Sequence, residues 1–304
     1  MRVPELLAVL GAHEGLVTAA FGRHYEVTCR DGRIIHGLPR GKKSIYACGD
    51  RVTLGSWHGN EAPILAHAPR SALLYRSDRW KQKLIAANAT QIIVVVATEP
   101  SFQPALISRA LLAANHQKLR TVIVLNKCDL AAHLAAARAE LTPFSALGAP
   151  IVELAARFDA TALLPWLDHH VSVLVGQSGM GKSTLVNALV PEAAAATREI
   201  STALDSGKHT TTHTRLYFLP NGQGALIDSP GLQTFGLAHL TRGEIELGFP
   251  EFLPHLGGCR FRDCRHENEP DCAIRAAVER GEISATRLAH FRAIARENEA
   301  AKAF

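Results

Sequence analysis

The feature of this sequence that most constrains its fold is a glycine-rich loop set between a strand pattern and a helix pattern. Residues 176–184 contain the pattern G-x-x-x-x-G-K-[ST]. The apolar, β-branched run 171–175 before the loop predicts a buried parallel strand, and the spacing in 183–189 predicts a helix. Glycines let backbone N–H groups converge on phosphate oxygens, and the helix N-terminus adds partial positive charge. The sequence therefore predicts a phosphate-binding loop.

The residues of this loop have separate predicted tasks. Lys182 is expected to reach the β- and γ-phosphates of a nucleotide and to act in catalysis, and the Ser183 hydroxyl is expected to ligate Mg²⁺. The whole loop is expected to contact the nucleotide: Gly176, Gln177, Ser178, Gly179, Met180, Gly181, Lys182, Ser183 and Thr184.

A D-x-x-G motif follows a short strand pattern, residues 225–228. Asp228, at the carboxyl end of that strand, can hold Mg²⁺ through water, and the Gly231 N–H can then contact the γ-phosphate. The same four residues are also an ordinary turn pattern. Their position after the phosphate loop, with another strand pattern at 214–219 between, favours the nucleotide interpretation.

The segment 207–213, between these two motifs, is rich in threonine. A switch loop needs one threonine hydroxyl that ligates Mg²⁺ only in the triphosphate state. We favour Thr211 for that role, which Thr210 or Thr212 would fill equally well by residue type. A threonine-rich entry to a strand is the alternative interpretation.

The tetrapeptide Asn126-Lys127-Cys128-Asp129 follows a strand pattern, 121–125, and predicts a guanine-binding motif. The Asp129 carboxylate can accept hydrogen bonds from guanine N1–H and the 2-amino group, which adenine does not offer in that arrangement. Asn126 is expected to tie this motif to the phosphate loop, and the Lys127 stem is expected to cover the base. Cys128 fills the variable position and receives no role.

The guanine motif precedes the phosphate loop, whereas most GTPases have the reverse order. A second base-contacting loop is expected at residues 154–157, where the backbone N–H groups of Ala155 and Ala156 would contact the base. Strand patterns alternate with helix patterns such as 105–116 and 131–141, which predicts a doubly wound α/β sheet with ligand at the strand carboxyl ends. We therefore predict a circularly permuted P-loop GTPase domain over residues 71–245.

Residues 1–70 carry short strand patterns separated by turns, which predicts an N-terminal β-barrel of the OB-fold type. A basic turn at 39–44 suits RNA binding. A solvated turn in a purely structural barrel explains the segment equally well.

Three cysteines and a histidine cluster late in the chain, at Cys259, Cys264, His266 and Cys272. Three thiolates and one imidazole at this spacing match one structural Zn²⁺ site, whose four protein ligands leave no open position for catalysis. No signal peptide is evident, so a reducing cytoplasmic location and metal binding are favoured over disulfides. A C-terminal helical zinc-binding domain is predicted over 246–304.

Two helix patterns, 273–279 and 284–296, follow the cluster, and five arginines within or just after them predict a basic face. The formal net charge of +5 fits a polyanionic partner, although many proteins are mildly basic. No stretch is long and apolar enough to predict a membrane span.

These motifs together resemble the RsgA family of ribosome small-subunit-dependent, circularly permuted GTPases. The resemblance runs nearly end to end and rests on the motif order, on residues 207–212, on Asp228-Ser229-Pro230-Gly231-Leu232, and on the segment 259–272. It implies an OB barrel, a permuted GTPase domain and a zinc domain. It also implies binding to the small ribosomal subunit and its rRNA late in maturation, with GTP hydrolysis to GDP stimulated by the subunit. We expect a monomer.

The group that orients the attacking water is not fixed by these motifs. Leu232 follows Gly231 where Ras-like enzymes have a glutamine, and its apolar side chain cannot orient water; Gln233 is poorly placed. His209 matches a histidine of the family motif and is the predicted catalytic residue. A solvent-exposed histidine without a catalytic role is the alternative.

Two other classes of function compete with a ribosome-assembly GTPase. An adenylate-using P-loop enzyme is disfavoured by the guanine motif, residues 126–129. A structural RNA-binding protein with a decayed nucleotide site is disfavoured by the intact Lys182, Ser183 and Asp228.

Overall fold

The computed structural model describes residues 4–22, 24–41, 45–78, 81–193, 214–229 and 235–302. Within these residues a mainly parallel sheet occupies the centre, in the order β10-β9-β8-β11-β13-β12. Only β12 runs antiparallel to its neighbour β13. The strands are β8 Gln91–Ala97, β9 Arg120–Asn126, β10 Ile151–Glu153, β11 Val171–Val175, β12 Thr214–Phe218 and β13 Ala225–Asp228.

Strands β8 and β11 are buried along their whole length, as continuous β-branched runs in a parallel sheet should be. The α-helices of the described residues are Glu5–Ala8, Pro104–His116, Ala131–Ser145, Leu164–Leu167, Lys182–Leu189, Arg242–Leu247, Ala273–Glu279 and Ala285–Lys302. Two 3₁₀ helices span Thr161–Leu163 and Pro250–His255. None of these helices is long and apolar enough to cross a bilayer.

The N-terminal strands close into a five-stranded barrel, in the order β1-β2-β3-β5-β4 with β4 paired back to β1. Their bounds are β1 Glu14–Phe21, β2 His24–Cys29, β3 Ile34–Pro39, β4 Arg51–Leu54 and β5 Glu61–His67. The β3–β5 pair is parallel, and a separate apolar core fills the barrel. The predicted OB-type barrel is therefore present.

The barrel and the central sheet form one continuous eleven-stranded sheet, because β1 pairs with β12 through Ala19 and Ala20. Side chains strengthen this junction. The Arg215 guanidinium contacts the Glu26 carboxylate at 3.1 Å, and the Cys48 thiol donates to the Thr214 carbonyl at 3.0 Å. The sequence patterns did not predict this pairing.

A two-stranded hairpin links the barrel to the central sheet and was also not predicted. Its strands are β6 Leu73–Asp78 and β7 Lys81–Ala87. Gly236, which follows the D-x-x-G segment in the chain, donates its backbone N–H to the Tyr75 carbonyl at 2.8 Å. The domain boundaries at 70/71 and 245/246 stay a prediction.

The C-terminal region packs on the helix Pro104–His116 of the central domain. Arg287 is 1% exposed; it donates to Glu251 at 2.6 Å and to Ser108 of that helix at 2.7 Å. Its guanidinium also lies 4.3 Å from the centroid of the Phe249 ring. Arg109 pairs with Glu297 of the helix Ala285–Lys302.

The basic face predicted for the C-terminal helices is only partly present, because Arg287 is buried whereas Arg280 and Arg296 stay exposed within ion pairs. Besides the buried Arg287, the other four contact acidic side chains or backbone carbonyls of this same region. The five residues are Arg275, Arg280, Arg287, Arg292 and Arg296. Helical spacing places the arginines, but it does not show which of them meet a partner: Arg280 pairs with the nearby Glu282, whereas Arg287 meets Ser108 of another helix.

Candidate guanine-nucleotide site and metal centre

The phosphate loop connects β11 to the helix Lys182–Leu189, at the carboxyl end of the sheet. Gly181 has a φ of +87°, and a Cβ there would lie 2.3 Å from the Asn126 amide nitrogen. At Gly176, a Cβ would lie 2.2 Å from the Val95 carbonyl oxygen. Both positions therefore require glycine, because the neighbouring strands approach the loop backbone too closely for any side chain.

Lys182 folds back over this loop. Its ammonium group donates to the Gly176 carbonyl at 2.5 Å and to the Gln177 carbonyl at 2.9 Å. Burial lowers the pKa of Lys182, and burial raises the pKa of Asp228, while the attraction between the two charges opposes both shifts. The structure thus brings a lysine and a half-buried acid together beside the glycine loop, whereas Ser183 and Thr184 are exposed.

Asn126 joins three loops at the carboxyl end of the sheet and is 2% exposed. Its amide nitrogen donates to the Met180 carbonyl of the phosphate loop at 2.9 Å. Its amide oxygen accepts from the Lys127 N–H at 2.8 Å and from the Ala156 N–H at 2.9 Å. One buried side chain therefore fixes the guanine motif, the phosphate loop and the second base loop relative to one another.

The second base loop, residues 154–157, was expected to offer the backbone N–H groups of Ala155 and Ala156 to a base, and the structure differs at Ala156. The Ala156 N–H donates to the Asn126 side-chain oxygen and is therefore not available to a base. The next residue, Arg157, is exposed, and its N–H has no acceptor among the described residues. Its guanidinium lies 4.7 Å from the centroid of the Phe158 ring. The sequence could not reveal this shift, because it depends on which N–H the distant Asn126 side chain meets.

Lys127 has an extended side chain, which reaches the loop that follows β8. Its backbone has a φ of +60°, and its carbonyl accepts from the Thr98 hydroxyl at 2.8 Å. Its ammonium group donates to the Glu99 carbonyl at 2.8 Å, which extends the aliphatic stem. Asp129 is exposed and makes no hydrogen bond to the described residues, so its carboxylate is free to accept from a ligand.

Two further residues link the phosphate loop to the helix Pro104–His116. The Gln177 side-chain oxygen accepts from the Gln103 N–H, at the start of that helix, with a distance of 2.8 Å. Because the same helix carries Ser108 and Arg109, it connects the phosphate loop to the C-terminal region. Gln177 was predicted as a phosphate-loop residue, but this capping role was not predicted.

The residues predicted to act through the switches are His209, Thr211 and Gly231. They lie outside the described residues. The described residues that border the two switch segments contact each other, because the Thr214 hydroxyl donates to the Ser229 hydroxyl at 3.1 Å. Thr214 follows the first of these segments and Ser229 precedes the second.

The four predicted metal ligands come together in the C-terminal region. The ligand atoms of Cys259, Cys264, His266 and Cys272 all lie within 4.8 Å of one another. The Cys259 and Cys272 sulfurs are 3.9 Å apart, and His266 Nδ1 lies 3.4 Å from the Cys272 sulfur. A tetrahedral Zn²⁺ with Zn–S bonds of about 2.3 Å places its sulfurs about 3.8 Å apart. This donor set and spacing fit one such ion.

The imidazole of His266 is held in a defined orientation. Its Nδ1 faces the sulfurs, and its Nε2 lies 3.5 Å from the Glu246 carboxylate. Nε2 forms no hydrogen bond in the described structure, so the Glu246 carboxylate lies behind the ring without fixing its tautomer. From the C-terminal helix, Arg292 donates to the His266 carbonyl at 2.8 Å and also binds the Glu267 carbonyl. Glu246 and Arg292 were not predicted, since neither lies at a ligand spacing.

Replacing Cys264 with serine is expected to abolish stoichiometric zinc binding. A structural zinc ion contributes on the order of 10 kcal/mol to the folding of its segment, so the C-terminal region should become protease-sensitive. The measurement is metal content after dialysis, with limited proteolysis. The matched control is Cys128→Ser, which removes a half-buried thiol outside the cluster and should retain one zinc. Retention of a full equivalent of zinc by Cys264→Ser would contradict the assignment.

Glu269 organises the loop between the ligands and has a shifted pKa. Its carboxylate accepts the Arg265 N–H and the Glu267 N–H at 2.8 Å each, and these bonds lower its pKa from 4.5 to about 2. A lowered carboxyl pKa stabilises the fold above the unfolded value of 4.5, and this contribution is lost as the pH falls toward 2.

Glu269→Gln is expected to lower stability by about 1 kcal/mol at neutral pH, since the site is largely solvent-screened. The gap to the wild type should narrow as the pH falls from 4.5 toward 2, because the carboxyl is protonated in the unfolded chain near 4.5 and in the folded protein only near 2. Thermal unfolding at a series of pH values provides the measurement. Glu279→Gln, at an exposed residue without a hydrogen bond in the described structure, is the control. A pH-independent gap would show that charge is not the cause.

Comparison with known proteins agrees with this geometry. The protein-family model described as RsgA GTPase matches residues 67–238 of this chain. A curated protein of Bordetella pertussis, named small ribosomal subunit biogenesis GTPase RsgA, is 51% identical over 294 residues, covering 96% of this chain and 98% of that protein. The chain belongs to the RsgA GTPase family. It is therefore a GTP-hydrolysing enzyme.

Further relatives agree over nearly the whole length. A Burkholderia pseudomallei protein of the same name is 52% identical over 289 residues, covering 93% of this chain and 92% of that protein. The crystal structure of YjeQ from Thermotoga maritima is similar with a TM-score of 0.71 and 28% identity, covering 94% of this chain and 98% of that one. The structure of YloQ, titled a circularly permuted GTPase, has the same fold with a TM-score of 0.67 at 24% identity, covering 95% of this chain and 97% of that one. The predicted barrel, permuted GTPase domain and C-terminal cysteine–histidine cluster are thus confirmed.

Proposed function

We propose that this chain hydrolyses GTP to GDP and phosphate during late maturation of the small ribosomal subunit, and that the subunit stimulates the reaction. The observation that carries the proposal is the buried Asn126 side chain, which joins a guanine motif to an intact phosphate loop. Support for the ribosomal role comes from the relatives, which are named for biogenesis of the small subunit.

The base is read at the carboxyl end of β9. Asp129 accepts from guanine N1–H and the 2-amino group, and the extended Lys127 stem covers one face of the ring. Because Asn126 occupies the Ala156 N–H, the exposed N–H of Arg157 is proposed as the donor to the base carbonyl. Ala155 and Ala156 contribute backbone to this loop, and the Ala156 side chain packs in the core.

The phosphates are held by the glycine loop, residues 176–184. Lys182, which contacts loop carbonyls in the described structure, would exchange these acceptors for β- and γ-phosphate oxygens. Ser183, Asp228 and Thr211 are the residues proposed to hold Mg²⁺, which supplies charge neutralisation on the phosphates. The Gly231 N–H is proposed to contact the γ-phosphate.

The proposal is tested by GTP turnover with and without purified small ribosomal subunits. We expect slow hydrolysis by the protein alone and a large increase with the subunits. Large subunits serve as the control for nonspecific ribosomal stimulation. An unchanged rate with small subunits would reject the ribosomal role, and equal turnover of ATP would reject the guanine assignment.

His209→Ala is expected to lower the subunit-stimulated rate by about 100-fold, since a positioned acid–base group contributes about that much. The measurement is kcat for GTP hydrolysis at saturating subunit concentration. His213→Ala, which changes a histidine of the same segment, should leave the rate near that of the wild type. An unchanged kcat in His209→Ala would return His209 to the alternative of a histidine with no catalytic role.

A further inference from the structure

The loop between the first two metal ligands presents an aromatic side chain between two arginines. Phe261 is 42% exposed, and Arg260 and Arg262 flank it in the sequence. The ends of the loop are the ligands Cys259 and Cys264. We refer to residues 260–262 as the zinc-loop tip. Because both ends are tied to the metal centre, the tip holds its shape without burying the Phe261 ring in a core.

The two arginines of the zinc-loop tip differ in their contacts. Arg260 pairs with Asp271 at 3.2 Å, and its guanidinium lies 5.6 Å from the centroid of the Phe261 ring. Arg262 is exposed and makes no hydrogen bond or ion pair with any residue that the structure describes. This separates Arg262 from the five arginines of the C-terminal helices, which are all engaged by protein groups.

The chemistry of the zinc-loop tip matches unpaired RNA. Exposed aromatic rings stack on bases, whose faces are accessible only where the strand is unpaired. A free guanidinium alongside binds the phosphate that follows the stacked base. Asp263 and Asp271 also lie in this segment and reduce its net charge. Stacking therefore carries more of the affinity here than general electrostatic attraction does.

We propose that the zinc-loop tip binds an unpaired segment of RNA, with Phe261 stacked on a base and Arg262 on the adjoining phosphate. The inference rests on the proposed function, which supplies an RNA-bearing partner, the small ribosomal subunit. An acidic protein segment would pair with the arginines but has no need of the exposed ring. Unpaired RNA uses both the exposed ring of Phe261 and the unpaired guanidinium of Arg262.

The test compares Phe261→Ala, Phe261→Trp and Arg262→Gln in the full-length, zinc-loaded protein. Binding to purified small subunits is measured at several salt concentrations with a non-hydrolysable GTP analogue. Loss of one stacked base should weaken binding by about 5- to 100-fold in Phe261→Ala, while Phe261→Trp keeps the affinity. Arg262→Gln should lower the slope of log K against log salt by about 1. Leu253→Ala, at another exposed apolar residue of the same region, is the control and should bind as the wild type does.

Chemical probing of the subunit RNA distinguishes the partner. The wild type should protect a base that Phe261→Ala leaves reactive. Zinc content and GTP hydrolysis without subunits should not change in any variant, which excludes misfolding. If Phe261→Ala binds the subunits as tightly as the wild type does, this proposal is overturned, but the proposed function is not. Weakened binding with unchanged RNA protection would also overturn it and assign the tip to a ribosomal protein. No binding by the wild type would reject the proposed function, and this proposal with it.

Discussion

Replacing Lys182 with alanine is expected to lower the subunit-stimulated rate of GTP hydrolysis by about 100- to 1000-fold, the usual loss on removing one preorganised donor. The lysine is half-buried and bonded to two carbonyls of the phosphate loop, so its charge is already positioned before a nucleotide binds. Alanine cannot stabilise the charge that develops on the phosphate oxygens. The measurement is single-turnover hydrolysis at saturating GTP, which separates the chemical step from binding.

The control for this variant is Lys118→Ala. Lys118 precedes β9, at the end of the sheet opposite the nucleotide site, and its removal tests only the loss of a surface charge. Its rate should match the wild type. A fall of less than about tenfold in Lys182→Ala would mean that another group carries the phosphate charge, since one donor is ordinarily worth more. The hydrolysis rate of Asp228→Asn, measured in the same way, would then show whether the proposed Mg²⁺ ligand contributes more than Lys182 does.

Replacing Asp129 with asparagine is expected to exchange guanine for xanthine specificity. The Asp129 carboxylate offers two acceptors to guanine N1–H and the 2-amino group. The asparagine side chain offers one acceptor and one donor, so its NH₂ group would face one of the two N–H donors of guanine. Two hydrogen bonds to a charged group are worth about 3–6 kcal/mol, so GTP binding should weaken by about 100- to 10,000-fold. Xanthosine triphosphate, with a carbonyl in place of the amino group, should bind the variant and support hydrolysis.

The control for the base switch is Asp168→Asn. Asp168 precedes β11 at the opposite end of the sheet, where its carboxylate accepts from the Asn221 side chain. This variant should keep GTP specificity and reject xanthosine triphosphate. Equilibrium titration with the three nucleotides, including inosine triphosphate to measure the 2-amino contribution, provides the affinities. If Asp129→Asn binds GTP as tightly as the wild type, the guanine motif is not the base-reading element.

Much of the fold follows from local patterns in the sequence. Strands 171–175 and 225–228 have the predicted bounds, and the helix Ala273–Glu279 does as well. These segments are predictable because burial on both faces of a parallel strand leaves a continuous apolar run, and burial on one face of a helix leaves a helical period, in a few consecutive residues. The cysteine–histidine spacing is local in the same way, and the cluster was predictable for that reason.

Other features could not be read from any local pattern. The hairpin β6–β7 was missed because its residues around the strand turn carry mixed polarity, and helix Ala285–Lys302 extends six residues past its predicted end. The predicted arginine face is incomplete for a related reason. Arg287 has the same helical spacing as its neighbours, yet Glu251 and Ser108 bury it, and these partners lie 36 and 179 residues away.

The sequence by itself predicts the chemistry of each loop: glycines and Lys182 for phosphate, Asp129 for a base, and three thiols with an imidazole for a metal. Tertiary structure alone decided how these loops act together. Asn126 contacts Met180 and Ala156, the Glu246 carboxylate lies behind His266, and the barrel strand β1 pairs with β12. The physical reason is that residue type fixes what a side chain can bind, whereas its actual partner depends on segments that only folding brings within about 3 Å.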